Sequence, residues 1–293
     1  MLTRLTGSAI VVVVGVVTIL IGGPIYALVL FALCAAGYHE YLGLASPTVG
    51  GGSVRRIGMV GYSIIAALGG AAFAGAGEIA LFAIAALAIA LPLALTLPWS
   101  AAPGAVACWA LAAAGSLYLG LPAFAAIALR SLAGDVSSGW LTRVTNDFAL
   151  GWEPMPRGAA WVLTVVVTTW AGDTCAYLTG RSLGTHMLAP HLSPNKTIEG
   201  AVGGLLGAMV VSWLTVTQFG LASSWAGLLL GALLGIAGQA GDLSESLLKR
   251  QAGVKDSGSV IPGHGGLLDR IDALLFAFPT GFVLATAIER LGR

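Results

Sequence analysis

The chain has 293 residues, of which 57% are hydrophobic and only 9% charged, and its net charge is +1. A soluble protein of this size carries roughly a quarter charged residues, so the composition excludes that class and predicts an all-α, polytopic integral membrane protein. The near-zero net charge leaves no bulk electrostatic case for nucleic acid as a partner.

A bilayer core of about 30 Å needs about 20 apolar residues per helix. Apolar stretches bounded by turn residues predict nine spans, near 7–22, 24–45, 57–76, 78–97, 102–129, 158–180, 200–219, 224–244 and 271–290. The first follows an arginine, as a secretory signal would, but no small-x-small cleavage site comes after it, so it reads as a retained span. Gly22-Gly23-Pro24 alone separates it from the second. The fifth is long, and Gly120-Leu121-Pro122 offers a place to bend or break. Cys34, Cys108 and Cys175 all fall in apolar segments without metal-ligand spacing and read as packing residues.

Residues 1–129 form an N-terminal transmembrane region with few polar groups. Residues 130–157, with Trp140, Trp152 and two prolines, read as an interfacial linker loop. Residues 158–293 form the candidate catalytic transmembrane domain, in which spans alternate with polar, Gly-rich loops. Gly227, Gly231 and Gly235 recur every four residues and make a smooth ridge that a second helix can approach closely. With the N-terminus inside, the inner segments carry nine basic residues: Arg4, Arg55, Arg56, Arg181, Lys196, Lys249, Arg250, Lys255 and Arg270. The outer segments carry five, Arg130, Arg143, Arg157, Arg290 and Arg293, so the positive-inside rule favours this orientation.

Four polar clusters lie in the second half. Asp173 sits in or at the end of an apolar helix, where a carboxylate costs several kcal/mol unless paired, hydrated or metal-bound, and Tyr177 lies one turn on. Ser193, Asn195, Lys196, Thr197 and Glu199 form a hydroxyl- and amide-rich turn opening the next helix. Free N–H groups there suit a phosphate and Lys196 adds a charge, although Thr197 and Glu199 also fit an ordinary helix cap. His186 and His191 lie nearby without a third ligand and read as loop residues. Asp242, Glu245 and Lys249 fall at i, i+3, i+7, on one helical face, with Asp242 at the close of an apolar span, followed by Ser246 and Arg250. The last cluster runs from Lys255-Asp256 through His264-Gly265-Gly266 to Asp269-Arg270-Ile271-Asp272. Its glycines let backbone approach an anion, and Asp242 with Asp269 could hold one Mg²⁺, which usually takes one or two carboxylates plus substrate phosphates.

The string Ser246-x-Leu248-Lys249-Arg250 … Lys255-Asp256-x-Gly258 … Ile261-Pro262-Gly263-His264-Gly265-Gly266-x-x-Asp269-Arg270-x-Asp272 closely resembles the pattern of phosphatidate cytidylyltransferases. Gly172-Asp173, Ser193-Pro194-x-Lys196-Thr197-x-Glu199-Gly200 and Gly241-Asp242-x-x-Glu245-Ser246 resemble the same family, so the likeness covers roughly 170–275. Asn195 departs from it, standing where the family has a second basic residue, and this bears on one phosphate contact. The resemblance implies that CTP and phosphatidate give CDP-diacylglycerol and pyrophosphate, with Mg²⁺. It also implies a homodimer, in contact with membrane lipid, in the inner bacterial membrane with its site facing the cytoplasm. The residue chemistry fits that reaction, with catalysis expected of Asp242, Lys249, Arg250, Asp269 and Asp272 and the metal on Asp242 and Asp269. Substrate binding falls to Asp173, Ser193, Asn195, Lys196, Thr197, Glu199, Glu245, Ser246, Lys255, His264, Gly265, Gly266 and Arg270. A phosphate monoester is already ionised at neutral pH, so His264 is expected to position rather than abstract a proton. The alternatives are a CTP-dependent lipid-alcohol kinase, in which the γ-phosphate would move, and an ion-coupled transporter using Asp173, Asp242 and Glu245. Transporters often carry inverted repeats, and none is evident here.

Overall fold

The computed structural model describes residues 13–49, 52–99, 104–136, 155–258 and 265–291. Within them the chain is helical almost throughout. The helices are α1 (described over 13–21), α2 (Gly23–Ala45), α3 (Gly52–Phe73), α4 (Glu78–Thr96), α5 (Ala105–Arg130), α6 (Arg157–Leu183), α7 (Ile198–Gln218), α8 (Ser224–Gln251) and α9 (Leu268–Leu291). Seven of them, α2 and α4 to α9, are long and apolar enough to cross a bilayer, and α3 is continuously apolar over Gly58–Phe73. Each predicted stretch thus coincides with a helix. The break between α1 and α2 falls at Gly22 and Gly23, with φ of 67° and 56°, conformations that need glycine, and Pro24 follows in the first turn of α2.

Consecutive helices run up and down. Gly180 of α6 meets Gly200 of α7, and Gly172 meets Gly204 and Ala208. Gly227, Gly231 and Gly235 of α8 face Trp213, Met209 and Ala208 of α7, the close approach that the four-residue spacing predicts. A Cβ on Gly231 would lie 2.6 Å from the Met209 Cα. Gly241 of α8 lies against Asp272 and Ala273 of α9. The two halves share a core: Leu68 and Phe124 belong to the same buried cluster as Trp161, Leu234 and Phe278, and the Phe124 and Phe282 rings meet edge-on at 5.9 Å. Large apolar side chains such as Ile79, Phe82 and Val106 point outward, as a lipid-facing surface requires.

Three expectations change. α5 passes Pro122 without breaking and stays one helix from Ala105 to Arg130. α8 does not end near 244 but continues to Gln251, so Asp242 lies nine residues before its end rather than closing it. The Glu245–Lys249 ion pair at i, i+4 carries the helix beyond the apolar stretch. Between α6 and α7 the chain forms a two-stranded antiparallel hairpin, β1 (Met187–Ala189) with β2 (Ser193–Thr197), pairing Met187 with Thr197 and Ala189 with Ser193. Of the 130–157 linker only the ends are described; there Val136 N–H donates to Met155 O at 2.9 Å, while Trp140 and Trp152 lie outside the described residues.

Candidate functional site

The alternation of helices puts the C-terminal ends of α6 and α8, the N-terminal ends of α7 and α9, and the hairpin at one end of the bundle. Their polar side chains form two linked groups. In the first, Lys196 of β2 pairs with Asp242 of α8, Nζ to Oδ2 at 2.5 Å. Asp242 acts electrostatically on Asp173 of α6 and on Asp272 of α9, and Asp173 acts on Asp272 as well. Three carboxylates from three helices thus act on one another, Asp173 and Asp242 in range of Lys196 and Asp272 in range of Lys249, a repulsive set that favours further positive charge. Gly241 makes the arrangement possible, because a Cβ there would overlap the Asp272 carbonyl.

In the second group Lys249 lies between two carboxylates, Glu245 at 2.5 Å and Asp269 at 2.6 Å. Glu245 is fully buried, so its charge depends on that partner. Asp269 is held further by Ser257, whose N–H and hydroxyl both donate to Oδ2 at 3.0 Å, and by the Gly266 N–H at 2.9 Å. Gly265 reaches this turn with φ 79°. Asp269 and Asp272 share one helix: Asp269 pairs with Lys249, and Asp272, in electrostatic range of both Asp242 and Lys249, links the two groups.

The β2–α7 turn is organised locally. Thr197 caps α7, its hydroxyl accepting the Gly200 N–H at 3.1 Å. Glu199 accepts from the Thr185 and His186 N–H groups at 3.2 Å each, and its other oxygen meets the Thr185 hydroxyl at 2.7 Å and His186 Nδ1 at 2.6 Å. Its carboxylate therefore ties the hairpin to α7. Arg250 donates to the carbonyls of Leu192 and Val254 at 3.2 and 3.1 Å, bracing the same hairpin. Ser246 is buried, Asn195, Lys255 and Arg270 are exposed, and Ser193 is half-buried. His264 and the preceding Ile261-Pro262-Gly263 lie outside the described residues.

One participant escaped the sequence reading. Glu40, near the end of α2, is only 5% exposed and bonds to Ser257, Leu267 and Leu268. Its signal was present: a lone acid in an apolar span is expensive and asks for a reason.

Among the described residues no group of three or more His, Cys, Asp or Glu side chains is arranged as a complete metal cage. Mg²⁺ does not require one, since it usually takes one or two carboxylates with substrate phosphates. Asp242 suits that role by donor chemistry: it is partly exposed, its ion pair is with Lys196, and it repels two neighbouring carboxylates. The Asp269 oxygens are already engaged by Lys249, Ser257 and Gly266, so Asp269 would reach a metal only by giving up Lys249.

A family model described as the cytidylyltransferase family matches residues 3–288. The chain is 44% identical over 130 residues to a phosphatidate cytidylyltransferase of Staphylococcus saprophyticus, covering 44% of this chain and 50% of the relative. It is 48% identical over 124 residues to the protein of that name from Staphylococcus haemolyticus, covering 42% and 47%. A Brucella suis protein of the same name is 39% identical over 165 residues, covering 56% and 53%. The chain thus spans about half the length of the curated relatives it matches.

Proposed function

The chain belongs to the cytidylyltransferase family, and from that membership we propose that it transfers the cytidylyl group of CTP to phosphatidate, giving CDP-diacylglycerol and pyrophosphate in phospholipid biosynthesis. The observation that carries this reading is the set Asp173, Asp242 and Asp272 with Lys196 at one end of a bundle of apolar helices. A lipid phosphate oxygen attacks the α-phosphorus, the bond from that phosphorus to the bridging oxygen of the β-phosphate breaks, and pyrophosphate leaves. Two polyanions must meet, so neutralising charge dominates the barrier.

Lys196, on the rigid hairpin, is the cation at the carboxylate group and contacts the nucleotide phosphates. Arg250, Lys255 and Arg270 add positive charge at the rim, and Lys249 holds Asp269 in place. No general base is needed, because the attacking phosphate is already an anion. Mg²⁺ is the proposed cofactor; on Asp242 and the substrate phosphates it would neutralise the charge that develops on the leaving pyrophosphate. Asp269 is the second proposed ligand once Lys249 releases it, and Asp272 is the carboxylate already in electrostatic range of Asp242. The apolar spans let the acyl chains stay in lipid while the headgroup enters. An open groove of about 660 Å³ between α6 and α7, lined by Leu178, Val202 and Leu206 with Glu199 at its polar end, is a place for one chain. A homodimer in the inner bacterial membrane, its site toward the cytoplasm, completes the proposal, which rests here on the family likeness and the distribution of basic residues.

The test is product analysis of the purified chain given Mg²⁺, phosphatidate and CTP labelled at either the α- or the γ-phosphorus. Label from the α-position in the lipid product is expected. Label from the γ-position would make the protein a lipid kinase, and no lipid labelling at all would remove the reading.

A further inference from the structure

Glu40 belongs to the N-terminal half, yet the partners of its carboxylate lie 217 to 228 residues further along the chain. Oε1 accepts the Leu267 N–H at 2.9 Å, and Oε2 accepts the Leu268 N–H at 2.8 Å and the Ser257 hydroxyl at 3.0 Å. Leu268 is the first residue of α9. The first N–H groups of a helix have no acceptor within it, and its positive end favours a carboxylate. Glu40 is thus a helix cap delivered from another helix.

The cap sits one residue from the active group. The Gly266 N–H, just before Leu267, goes to Asp269 Oδ2, and the Ser257 hydroxyl lies 3.0 Å from both Glu40 Oε2 and Asp269 Oδ2. A single hydroxyl proton therefore links the remote acid to the one that holds Lys249. The approach is close enough to exclude side chains, since a Cβ on Gly266 or Gly258 would overlap Ser257 or Glu40. The neighbouring aromatic residues Tyr38 and Tyr41 are buried in the cluster that also holds Leu268 and Leu275, so the base of this clamp is rigid.

We infer that Glu40 is a positioning residue for the transfer reaction: by fixing Ser257 and the start of α9 it sets where Asp269, and through it Lys249, stand. The inference rests on the function proposed above. A misplacement of about 1 Å in such a site costs on the order of 10²-fold in rate.

The experiment compares wild type with Glu40→Gln, which keeps the side-chain volume but turns an acceptor oxygen into an NH₂ facing donors. Both are purified in detergent and followed by hydrogen exchange, thermal unfolding and steady-state kinetics. The expected result is faster exchange at Leu267 and Leu268 with α6 and α7 unchanged. With it, kcat should fall on the order of 10²-fold while KM for CTP moves little. Ser257→Ala, which leaves both N–H bonds to Glu40 intact, should lose less. Unchanged exchange at those amides would overturn the inference. So would faster exchange throughout the protein with normal kcat per folded molecule, the mark of a merely structural anchor. Wild type that forms no CDP-lipid would overturn the assigned reaction instead, and exchange still reads the clamp without turnover.

Discussion

Lys249 and Asp242 carry opposite kinds of burden. Lys249 is 12% exposed and joins a fully buried glutamate to Asp269, so removing it leaves like charges facing one another inside the bundle. Breaking a buried pair by deleting one partner costs about 3–5 kcal/mol. Lys249→Met is therefore expected to lower the unfolding temperature in detergent markedly, and adding Glu245→Gln should recover part of the loss. A double-mutant cycle checks this, because additive effects would show that the two residues do not interact. Asp242 is more exposed, with Lys196 as its ion-pair partner, so Asp242→Asn should leave the unfolding temperature nearly unchanged. CDP-lipid formation should nevertheless drop by about 100-fold or more, the size of effect expected when a preorganised charge is removed from a reacting site. Near-normal turnover in that variant would remove Asp242 from the proposed metal site.

The elements were legible to different degrees. Bilayer-spanning helices announce themselves because hydropathy is a local sum, so each stretch read from composition has its helix. Ends are governed by single residues and are harder to read. Pro122 sits in α5 without breaking it, and Glu245–Lys249 extends α8 past its apolar part. The β1–β2 hairpin has no alternation of apolar and polar residues to betray it, since the Ser193–Thr197 strand carries no large apolar side chain. In the site, Lys196 with Asp242 and Lys249 with Asp269 unite residues singled out from spacing and family likeness, whereas the partners of each were hidden because pairing is a property of the fold. Glu40 was hidden for the same reason. The glycine ridge was readable, and it supports a graded prediction. A Cβ on Gly231 would strike the backbone of α7 at Ala208 and Met209, whereas one on Gly43 meets nothing within 4 Å. Gly231→Val should force α7 and α8 apart and cost several degrees of thermal stability in detergent. Gly43→Ala should be neutral or slightly stabilising, since alanine is the better helix former by roughly 0.5–1 kcal/mol. Equal behaviour of the two variants would show that the ridge does not set the helix spacing.

Over the whole molecule, the up-and-down course of the helices sorts charge to two ends. One end holds the hairpin, Lys196, Asp242, Lys249 and Asp269. The other holds the Arg157–Glu289 and Arg290–Glu78 pairs and the Arg130 side chain, whose Nε donates to the Ile19 carbonyl at 2.6 Å. The sequence assigns nine basic residues to the first side and five to the second; among the described residues, Lys196, Lys249, Arg157 and Arg290 ion-pair within the fold. By the positive-inside rule that distribution favours the proposed orientation, with the hairpin end toward the cytoplasm. That is also the side on which a cell keeps its nucleotides. The orientation can be read directly in a variant whose three cysteines, Cys34, Cys108 and Cys175, are replaced by alanine. A single cysteine at His191, exposed in the hairpin turn, should resist a membrane-impermeant maleimide until cells are permeabilised, while one at Ser224, exposed at the start of α8, should react in intact cells. The reverse pattern would place the acidic cluster on the side without CTP, and a cytidylyl transfer there would have no donor.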